Sequence, residues 1–231
     1  MTTALVLSAG GMWAAWEVGA WRALRDRIHP DIIVGASAGA WNGLAIAGGV
    51  SPADLAREWM DETMAHVWRN RPNNMYEKAR NICDRYTLQT PFALTMVEVP
   101  SMRMRIVRDQ EITWEHLAAT SSIPGVFPPM KLDGHWYVDG GFRGGLPLWA
   151  AEALGAERAI ALNVLTGPMF ATLRRVTFAR RASRTLDVIR IEPSEKLGSI
   201  RDAVAWNAKN IARWIELGER DALHAITSGR I

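Results

Sequence analysis

The stretch Ile33–Trp41, IVGASAGAW, runs from an apolar segment through a serine that has a glycine two residues away on either side. The apolar residues before the serine are typical of a buried strand, and the small residues after it are typical of a helix that packs closely on a sheet. A serine at such a junction is either an ordinary turn residue or the centre of a nucleophile elbow, where Gly35 and Gly39 remove side chains that would clash. Ser37 is therefore the first candidate for chemistry.

A second glycine-rich turn, LSAGGMW, follows the apolar run at residues 4–7 and precedes a segment with helical periodicity. Gly10 and Gly11 leave backbone N–H groups uncovered at this strand-to-helix junction, where an anion can dock. A nucleotide-phosphate loop is the competing interpretation. It fails because Ala9 and Ala14 occupy glycine positions of the G-x-G-x-x-G pattern and no G-K-[ST] follows.

The alternation of strand-like and helix-like segments predicts an α/β fold with a mostly parallel central sheet flanked by helices. No linker or repeat interrupts the chain, so we expect one domain over residues 1–231. Further strands are predicted at residues 94–99, 102–107, 158–164 and 187–191, and in a hairpin at 131–138. Helices are predicted from Ser51 and from Thr113, whereas residues 75–90 remain ambiguous between helix and loop.

A single long amphipathic helix is predicted for residues 199–226. Its apolar positions are expected to face the core: Ile200, Val204, Ile211, Trp214, Ile215 and Leu223.

Composition narrows the classes of protein. The chain has 231 residues, 48% of them hydrophobic, and a net charge of +3, which is too small to indicate nucleic-acid binding. Cys83 is the single cysteine, so no intrachain disulfide forms. The N-terminus lacks the features of a signal peptide and no apolar run is long enough to span a bilayer, so a cytoplasmic location is expected.

Arginines are concentrated between residues 174 and 190, where six of them accompany a single acid, Asp187. Such a run is either a solvated helix face or a surface for anionic lipid headgroups, which would place the protein peripherally on a membrane.

The chain has eleven tryptophans, and most are expected to be core residues. Four lie beside the candidate chemistry and are alternatively expected to line an apolar pocket: Trp13, Trp16, Trp41 and Trp136.

A third motif, YVDGGFRGG, places Asp139 at the end of a predicted strand, before Gly140 and Gly141. Taken alone, an aspartate before glycine is most simply a turn residue.

Histidines and carboxylates elsewhere show no metal-ligand spacing, so neither a metal nor another cofactor is predicted.

These motifs, in this order, resemble the patatin-like phospholipase family. The resemblance includes the glycine-rich loop and its helix, the G-x-S-x-G elbow, the D-G-G motif, and the stretch AATSSIPGVFPPM before the aspartate strand. It implies a three-layer α/β/α fold and a lipid or other acyl ester as substrate, with no requirement for calcium in the chemistry.

The resemblance also implies a role for each candidate residue. Ser37 would attack the ester carbonyl, and Asp139 would take its proton directly. The backbone N–H groups of Gly10, Gly11 and Met12 would hold the oxyanion. This sequence departs from the family loop at Ala9, Trp13 and Ala14, and the loss of a cationic residue at Trp13 predicts a more apolar pocket mouth.

Two alternatives remain at this stage. A Ser-Asp-His esterase would need one of the five histidines, and only the order of Ser37, Asp139 and His224 formally fits. The histidines at positions 29, 66, 116 and 135 have no motif around them. The altered glycine loop is also compatible with a lipid- or partner-binding module that has little turnover.

Overall fold

The computed structural model describes residues 1–69, 72–167 and 185–231. The strands are β1 (Thr3–Leu7), β2 (Ile32–Ala36), β3 (Phe92–Val99), β4 (Arg103–Arg108), β5 (Met130–Leu132), β6 (His135–Asp139), β7 (Arg158–Leu162) and β8 (Asp187–Ile191). The helices are α1 (Ala15–Leu24), α2 (Ala38–Ala47), α3 (Pro52–Met60), α4 (Thr63–Arg69), α5 (Asn73–Arg85), α6 (Trp114–Ala119), α7 (Gly141–Gly144), α8 (Leu148–Ala153), α9 (Ile200–Val204) and α10 (Ala208–Thr227). Short 3₁₀ helices cover Gly11–Ala14 and Asp109–Glu111.

The strands form one mixed sheet in the order β5-β6-β3-β2-β1-β7-β8, and β4 pairs with β3. The five strands from β3 to β8 in this order run parallel, whereas β4 and β6 run antiparallel to β3. The predicted α/β fold with a mostly parallel central sheet is confirmed.

Helices cover both faces of this sheet. Leu5 and Leu7 belong to a core shared with α1, α2 and α10, whereas Ala4 and Val6 belong to a second core shared with α8. Alternate residues of a strand point to opposite faces, so a strand buried on both sides is apolar over its buried length, as residues 4–7 of β1 are. The result is the three-layer α/β/α arrangement.

The first and last helices, α1 and α10, are in direct backbone contact. A Cβ atom on Gly19 would lie 1.8 Å from the carbonyl oxygen of Ile215, and one on Gly218 would lie 1.9 Å from that of Trp16. Glycine is required at both positions because any side chain would force the two helices apart.

Strand β3 brings two distant strand ends together. In the parallel β2–β3 pair Ala36 lies opposite Thr95, and in the antiparallel β3–β6 pair Asp139 lies opposite Met96. Because Thr95 and Met96 are adjacent, the carboxyl ends of β2 and β6 meet beside the middle of β3. Residues about a hundred positions apart in the chain thereby become neighbours.

The single C-terminal helix predicted for residues 199–226 is wrong. The structure has two helices there, α9 and α10, each with its own N-cap, Ser199 and Asn207. Between them Trp206 donates from Nε1 to the carbonyl oxygen of Trp59 at 2.9 Å, which fixes the break.

Three of the positions predicted to face the core in this region are instead exposed. They are Ile200, Val204 and Leu223, with exposed fractions of 56%, 37% and 48%. The other three, Ile211, Trp214 and Ile215, are buried as expected.

The ambiguous segment at residues 75–90 is helical as far as Arg85, within α5. Arginines 174 to 184 of the arginine-rich segment lie outside the described residues, so contact between this segment and a membrane stays a prediction.

Candidate active site

Ser37 occupies the turn between β2 and α2 with a backbone conformation that is uncommon for a residue with a side chain, φ 52° and ψ −129°. The turn is tight because a Cβ atom on Gly35 would lie 2.5 Å from the carbonyl oxygen of Gly39, and one on Gly39 would lie 2.4 Å from that of Ser8. Strained backbone at a sharp strand-to-helix turn is the mark of a nucleophile elbow. The structure thus places all three predicted residues of the G-x-S-x-G motif in such a turn.

Asp139 ends β6 beside Ser37 and is 5% exposed. Its Oδ1 accepts a hydrogen bond from the backbone N–H of Gly141 at 2.6 Å. Its Oδ2 is buried without a hydrogen bond of standard geometry, although the Ser37 hydroxyl is close enough to interact with the carboxyl group. Burial raises the pKa of Asp139 to about 7, against the smaller lowering effects of the Ser37 hydroxyl and the Gly141 N–H.

The two glycines after Asp139 are required by crowding. A Cβ atom on Gly140 would lie 2.0 Å from the carbonyl oxygen of Thr95, and one on Gly141 would lie 2.5 Å from Cβ of Ala9. Gly141 therefore lies directly against the glycine-rich loop, so the D-G-G motif and that loop are parts of one site.

Thr120, just after α6, connects the serine turn to the aspartate strand. Its Oγ1 accepts a hydrogen bond from the N–H of Ser37 at 2.9 Å and donates one to the carbonyl oxygen of Thr95 at 2.7 Å. Its carbonyl oxygen accepts from the N–H of Gly140 at 3.1 Å. One buried residue thus fixes the position of Ser37 relative to the strand that carries Asp139.

The glycine-rich loop presents backbone donors to the same region. The N–H groups of Ala9 and Trp13 are paired, with the carbonyl oxygens of Gly145 and Gly10. In the described part of the chain, no acceptor is found for the N–H groups of the three residues between them, which are Gly10, Gly11 and Met12. These are the donors predicted to hold an oxyanion.

Gly11 is also fixed by its surroundings. Its φ of +56° lies in the left-handed region, and a Cβ atom there would lie 2.2 Å from the carbonyl oxygen of Ala203 in α9. A side chain at this position would therefore be strained and would also displace α9 from the loop.

A cavity of about 680 Å³, including the open space at its mouth, begins at Ser37 and the loop. Its wall is mainly apolar, with a few polar side chains. The lining residues are Gly11, Met12, Ser37, Ala38, Trp41, Asn42, Leu55, Glu58, Trp59, Met64, Val67, Met75, Lys78, Ile82, Ser121, Ile123 and Phe127. A mainly apolar wall of this kind suits an acyl chain or another apolar ligand.

Of the four tryptophans for which a pocket was the alternative to the core, one lines the cavity. Trp41 lines the cavity, and its Nε1 donates to Ser121 Oγ at 2.8 Å. Trp13 and Trp16 are instead buried in the core, and Trp136 is 47% exposed on β6. The substitution at Trp13 therefore adds to the core beneath the loop, and Trp13 is absent from the cavity wall.

Sequence reasoning missed two buried polar residues beneath the loop, Glu17 on α1 and Asn42 on α2. The Glu17 carboxylate accepts hydrogen bonds from Ser8 Oγ at 3.2 Å and from Asn42 Nδ2 at 2.9 Å. The available signal was a lone charged residue and a lone amide, each inside an otherwise apolar helical segment, since such groups are buried only when they are hydrogen-bonded.

The histidines lie away from this site. Neither Ser37 nor Asp139 is hydrogen-bonded to any of the five, all of which are described. His224 is exposed on α10, His135 faces Glu98 at 3.7 Å, and His116 caps α6.

Among the described residues, no group of three His, Cys, Asp or Glu side chains is placed to hold a metal ion. No helix in the described ranges has the length and apolarity needed to cross a bilayer.

A sheet with helices on both faces, a strained serine at a strand-to-helix turn and a buried carboxyl beside it define an α/β protein with a serine-centred site. The model of the family described as patatin-like phospholipase matches residues 5–152, which is more than half of the chain. The chain belongs to the patatin-like phospholipase family.

The chain is also similar in sequence to individual known proteins. The chain is 30% identical over 185 residues to patatin-like phospholipase domain-containing protein 7 of Rattus norvegicus, covering 70% of this chain and 13% of that protein. It is 27% identical over 183 residues to lysophospholipase NTE1 of Mycosarcoma maydis, covering 71% of this chain and 10% of that protein. The chain thus spans only a small part of these relatives.

Among solved structures, the chain is similar in fold to VipD from Legionella pneumophila. The TM-score is 0.56 at 10% identity, and the match covers 98% of this chain and 67% of that one. At this identity the likeness concerns the fold alone.

Proposed function

We propose that the chain is a lipid acyl hydrolase that cleaves carboxylic esters through a Ser37–Asp139 dyad and an acyl-enzyme intermediate. The observation that carries the proposal is the Ser37 hydroxyl lying against the buried Asp139 carboxyl at the wall of an apolar cavity. Membership of the patatin-like phospholipase family, and a relative named as a lysophospholipase, support a lipid ester as the class of substrate.

In the first half of the reaction, Ser37 Oγ attacks the carbonyl carbon of the ester, and its proton passes to Oδ2 of Asp139. The negative charge that develops on the carbonyl oxygen is held by the unpaired N–H groups of Gly10, Gly11 and Met12. When the intermediate collapses, the carbon–oxygen bond to the alcohol breaks and the alcohol leaves with the proton from Asp139. The acyl group remains on Ser37.

In the second half, a water molecule attacks the acyl-enzyme and gives its proton to Asp139, which acts again as the base. Collapse breaks the bond to Ser37 Oγ, which recovers the proton, and the carboxylic acid is released. The cycle needs no group beyond the serine, the aspartate, the loop and water.

A carboxylate is ordinarily a poor base for a hydroxyl group because its pKa is close to 4. Burial removes this handicap in part, since it raises the pKa of Asp139 to about 7. A base whose pKa is near the working pH is both unprotonated in a large fraction of molecules and strong enough to accept a proton.

Two assays test this proposal. A fluorescent organophosphonate is expected to label the wild-type protein and to leave Ser37→Ala unlabelled. A panel of acyl esters, from short to long chains and with or without a phosphate group, is expected to include at least one that the wild type hydrolyses and Ser37→Ala does not. A folded wild-type protein that reacts with neither the phosphonate nor any ester would overturn the proposal and favour a lipid- or partner-binding role.

A further inference from the structure

The buried carboxyl of Glu17 has no part in the reaction described above, yet it lies directly beneath the glycine-rich loop. Its side chain is completely buried in the first turn of α1. Both of its oxygens are hydrogen-bonded, Oε1 to Ser8 Oγ at 3.2 Å and Oε2 to Asn42 Nδ2 at 2.9 Å. A buried carboxyl is costly to fold, so one with both oxygens bonded calls for an explanation.

The two partners of Glu17 lie at opposite ends of the loop. Ser8 follows β1 directly and precedes the loop, and its Oγ also accepts the N–H of Val164 at 3.0 Å. Asn42 reaches the other end of the loop, because its Nδ2 also donates to the carbonyl oxygen of Ala14 at 2.9 Å. The loop residues 9–13 therefore lie between two anchors that share one carboxyl.

The same network extends to the wall of the cavity. Asn42 Oδ1 accepts a hydrogen bond from Trp59 Nε1 at 2.8 Å, and both residues line the cavity. Both N–H donors of the Asn42 amide are thus used, by Glu17 and by the carbonyl oxygen of Ala14, and its oxygen accepts from Trp59 in this wall.

We infer that Glu17 is a positioning residue that holds the glycine-rich loop in the geometry needed to bind the oxyanion. This inference rests on the proposed hydrolysis at Ser37. It predicts an effect on the chemical step, because a donor displaced by even a fraction of an ångström loses most of its benefit to the transition state.

Glutamine is the natural test of this role because the network suits a neutral side chain. Burial raises the pKa of Glu17 to about 8, so at pH 7 the side chain is mostly a protonated carboxyl. When it is protonated on Oε1, the carboxyl donates to Ser8 Oγ, whereas as a carboxylate it accepts from that hydroxyl; in both forms Oε2 accepts from Asn42. The amide of Glu17→Gln can likewise donate to Ser8 and accept from Asn42, whereas the methionine of Glu17→Met fills similar space with neither bond.

The experiment compares kcat and KM for ester hydrolysis at pH 7 in purified, folded variants. Glu17→Met is expected to lower kcat by about tenfold to a hundredfold with KM changed less than about threefold, and Glu17→Gln is expected to restore kcat to within about threefold of wild type. The matched control is Asp221→Asn, which alters another buried carboxyl between α1 and α10, bonded to Trp16 and Ser194. This control is expected to change the stability and to leave kcat unchanged.

Two results would overturn the inference: a folded Glu17→Met with the kcat of wild type, or a Glu17→Gln as impaired as Glu17→Met. If Glu17→Met does not fold, Ser8→Ala decides the question, since it removes one anchor only. A folded Ser8→Ala with a kcat lowered about tenfold supports the role, and one with unchanged kcat contradicts it. Failure of the proposed hydrolysis would be seen separately. In that case the wild type itself would show no ester hydrolysis that depends on Ser37.

Discussion

Asp139 and Glu17 are two carboxyl groups that the fold buries. Their hydrogen bonding differs, and this difference distinguishes the proposed base, Asp139, from the proposed positioning residue, Glu17. Burial raises the pKa of both, to about 7 and about 8. Glu17 has a hydrogen-bond partner on each oxygen, whereas Asp139 has one on Oδ1 and none of standard geometry on Oδ2, and the Ser37 hydroxyl lies close to its carboxyl group. A raised pKa is therefore shared by both environments, and an oxygen available next to a hydroxyl is what favours a role in proton transfer.

The largest expected difference between the two carboxyls is in catalysis. Asp139→Asn and Ser37→Ala are each expected to lower kcat by about 10³-fold or more. The amide of the first variant cannot accept the serine proton, and the second variant has no hydroxyl to attack the ester. Glu17→Gln is expected to keep kcat close to wild type. The measurement is the rate of ester hydrolysis at pH 7 by each purified variant.

The matched control for this comparison is His224→Ala, an exposed position that the Ser-Asp-His alternative requires. Its activity is expected to equal that of the wild type. A folded His224→Ala as inactive as Ser37→Ala would contradict the dyad.

The next largest effect concerns folding stability. Because the folded-state pKa of Asp139 lies above its ordinary value of 3.8, the unfolded chain binds fewer protons between pH 4 and 7, and the free energy of unfolding falls as the pH rises through that window. Asp139→Asn removes this penalty and is expected to be more stable than wild type by as much as about 4 kcal/mol above pH 7. At pH 3.5 the two proteins should be nearly equal.

Chemical denaturation of the wild type and of Asp139→Asn at several pH values measures this difference. Glu17→Gln is expected to show the same trend at higher pH. Its stability relative to wild type should increase until about pH 8. A stability difference that does not change with pH would mean that Asp139 is not destabilised by burial.

The pH dependence of hydrolysis should report the available carboxyl. Asp139 must be unprotonated to act as a base, so kcat/KM is expected to rise through a midpoint near pH 7 and to be about a hundredfold lower at pH 5. The midpoint should persist in Glu17→Gln. A rate that is constant from pH 5 to 8 in the wild type would contradict the assignment of Asp139 as the base.

A smaller effect is expected at Thr120, which holds the serine turn against the aspartate strand. Thr120→Val removes the acceptor of the Ser37 N–H and the donor to the Thr95 carbonyl oxygen. We expect a kcat about tenfold lower and a loss of about 1–3 kcal/mol of stability, since two buried backbone groups lose their partners. Thr120→Ser keeps the hydroxyl and should restore kcat; if it does not, the methyl group rather than the hydroxyl matters.

The parts of the molecule that sequence predicts best are local. The turn at Ser37 depends on a strand, two glycines and a helix within a dozen residues, and a pattern of that length shows it directly. The proximity of Asp139 depends on two strands meeting along β3, a pairing that no local pattern encodes. Only the resemblance to a family led to that partner, and the catalytic roles of both residues stay proposals.

The errors have equally particular causes. The helical periodicity at residues 199–226 continues across the break at Trp206, where a hydrogen bond to Trp59 overrides the local preference for helix. The sequence does not reveal the burial of Glu17, because an acid in the first turn of a helix is also common on a protein surface. Its hydrogen bonds to Ser8 and to Asn42 of α2 arise only when the strand end and the two helices pack together.

The close approach of Gly19 to Ile215 and of Gly218 to Trp16 has a consequence for the loop. Where two helices contact each other through backbone atoms, no flexible side chain lies between them to adjust. The distance between α1 and α10 is therefore fixed at these two glycines. Glu17 lies half a turn from Gly19 on the same helix. A single methyl group at either glycine would push α1 away from α10, and this displacement would reach the loop through Glu17. A larger residue at either glycine is therefore expected to be poorly tolerated, although neither glycine lines the cavity.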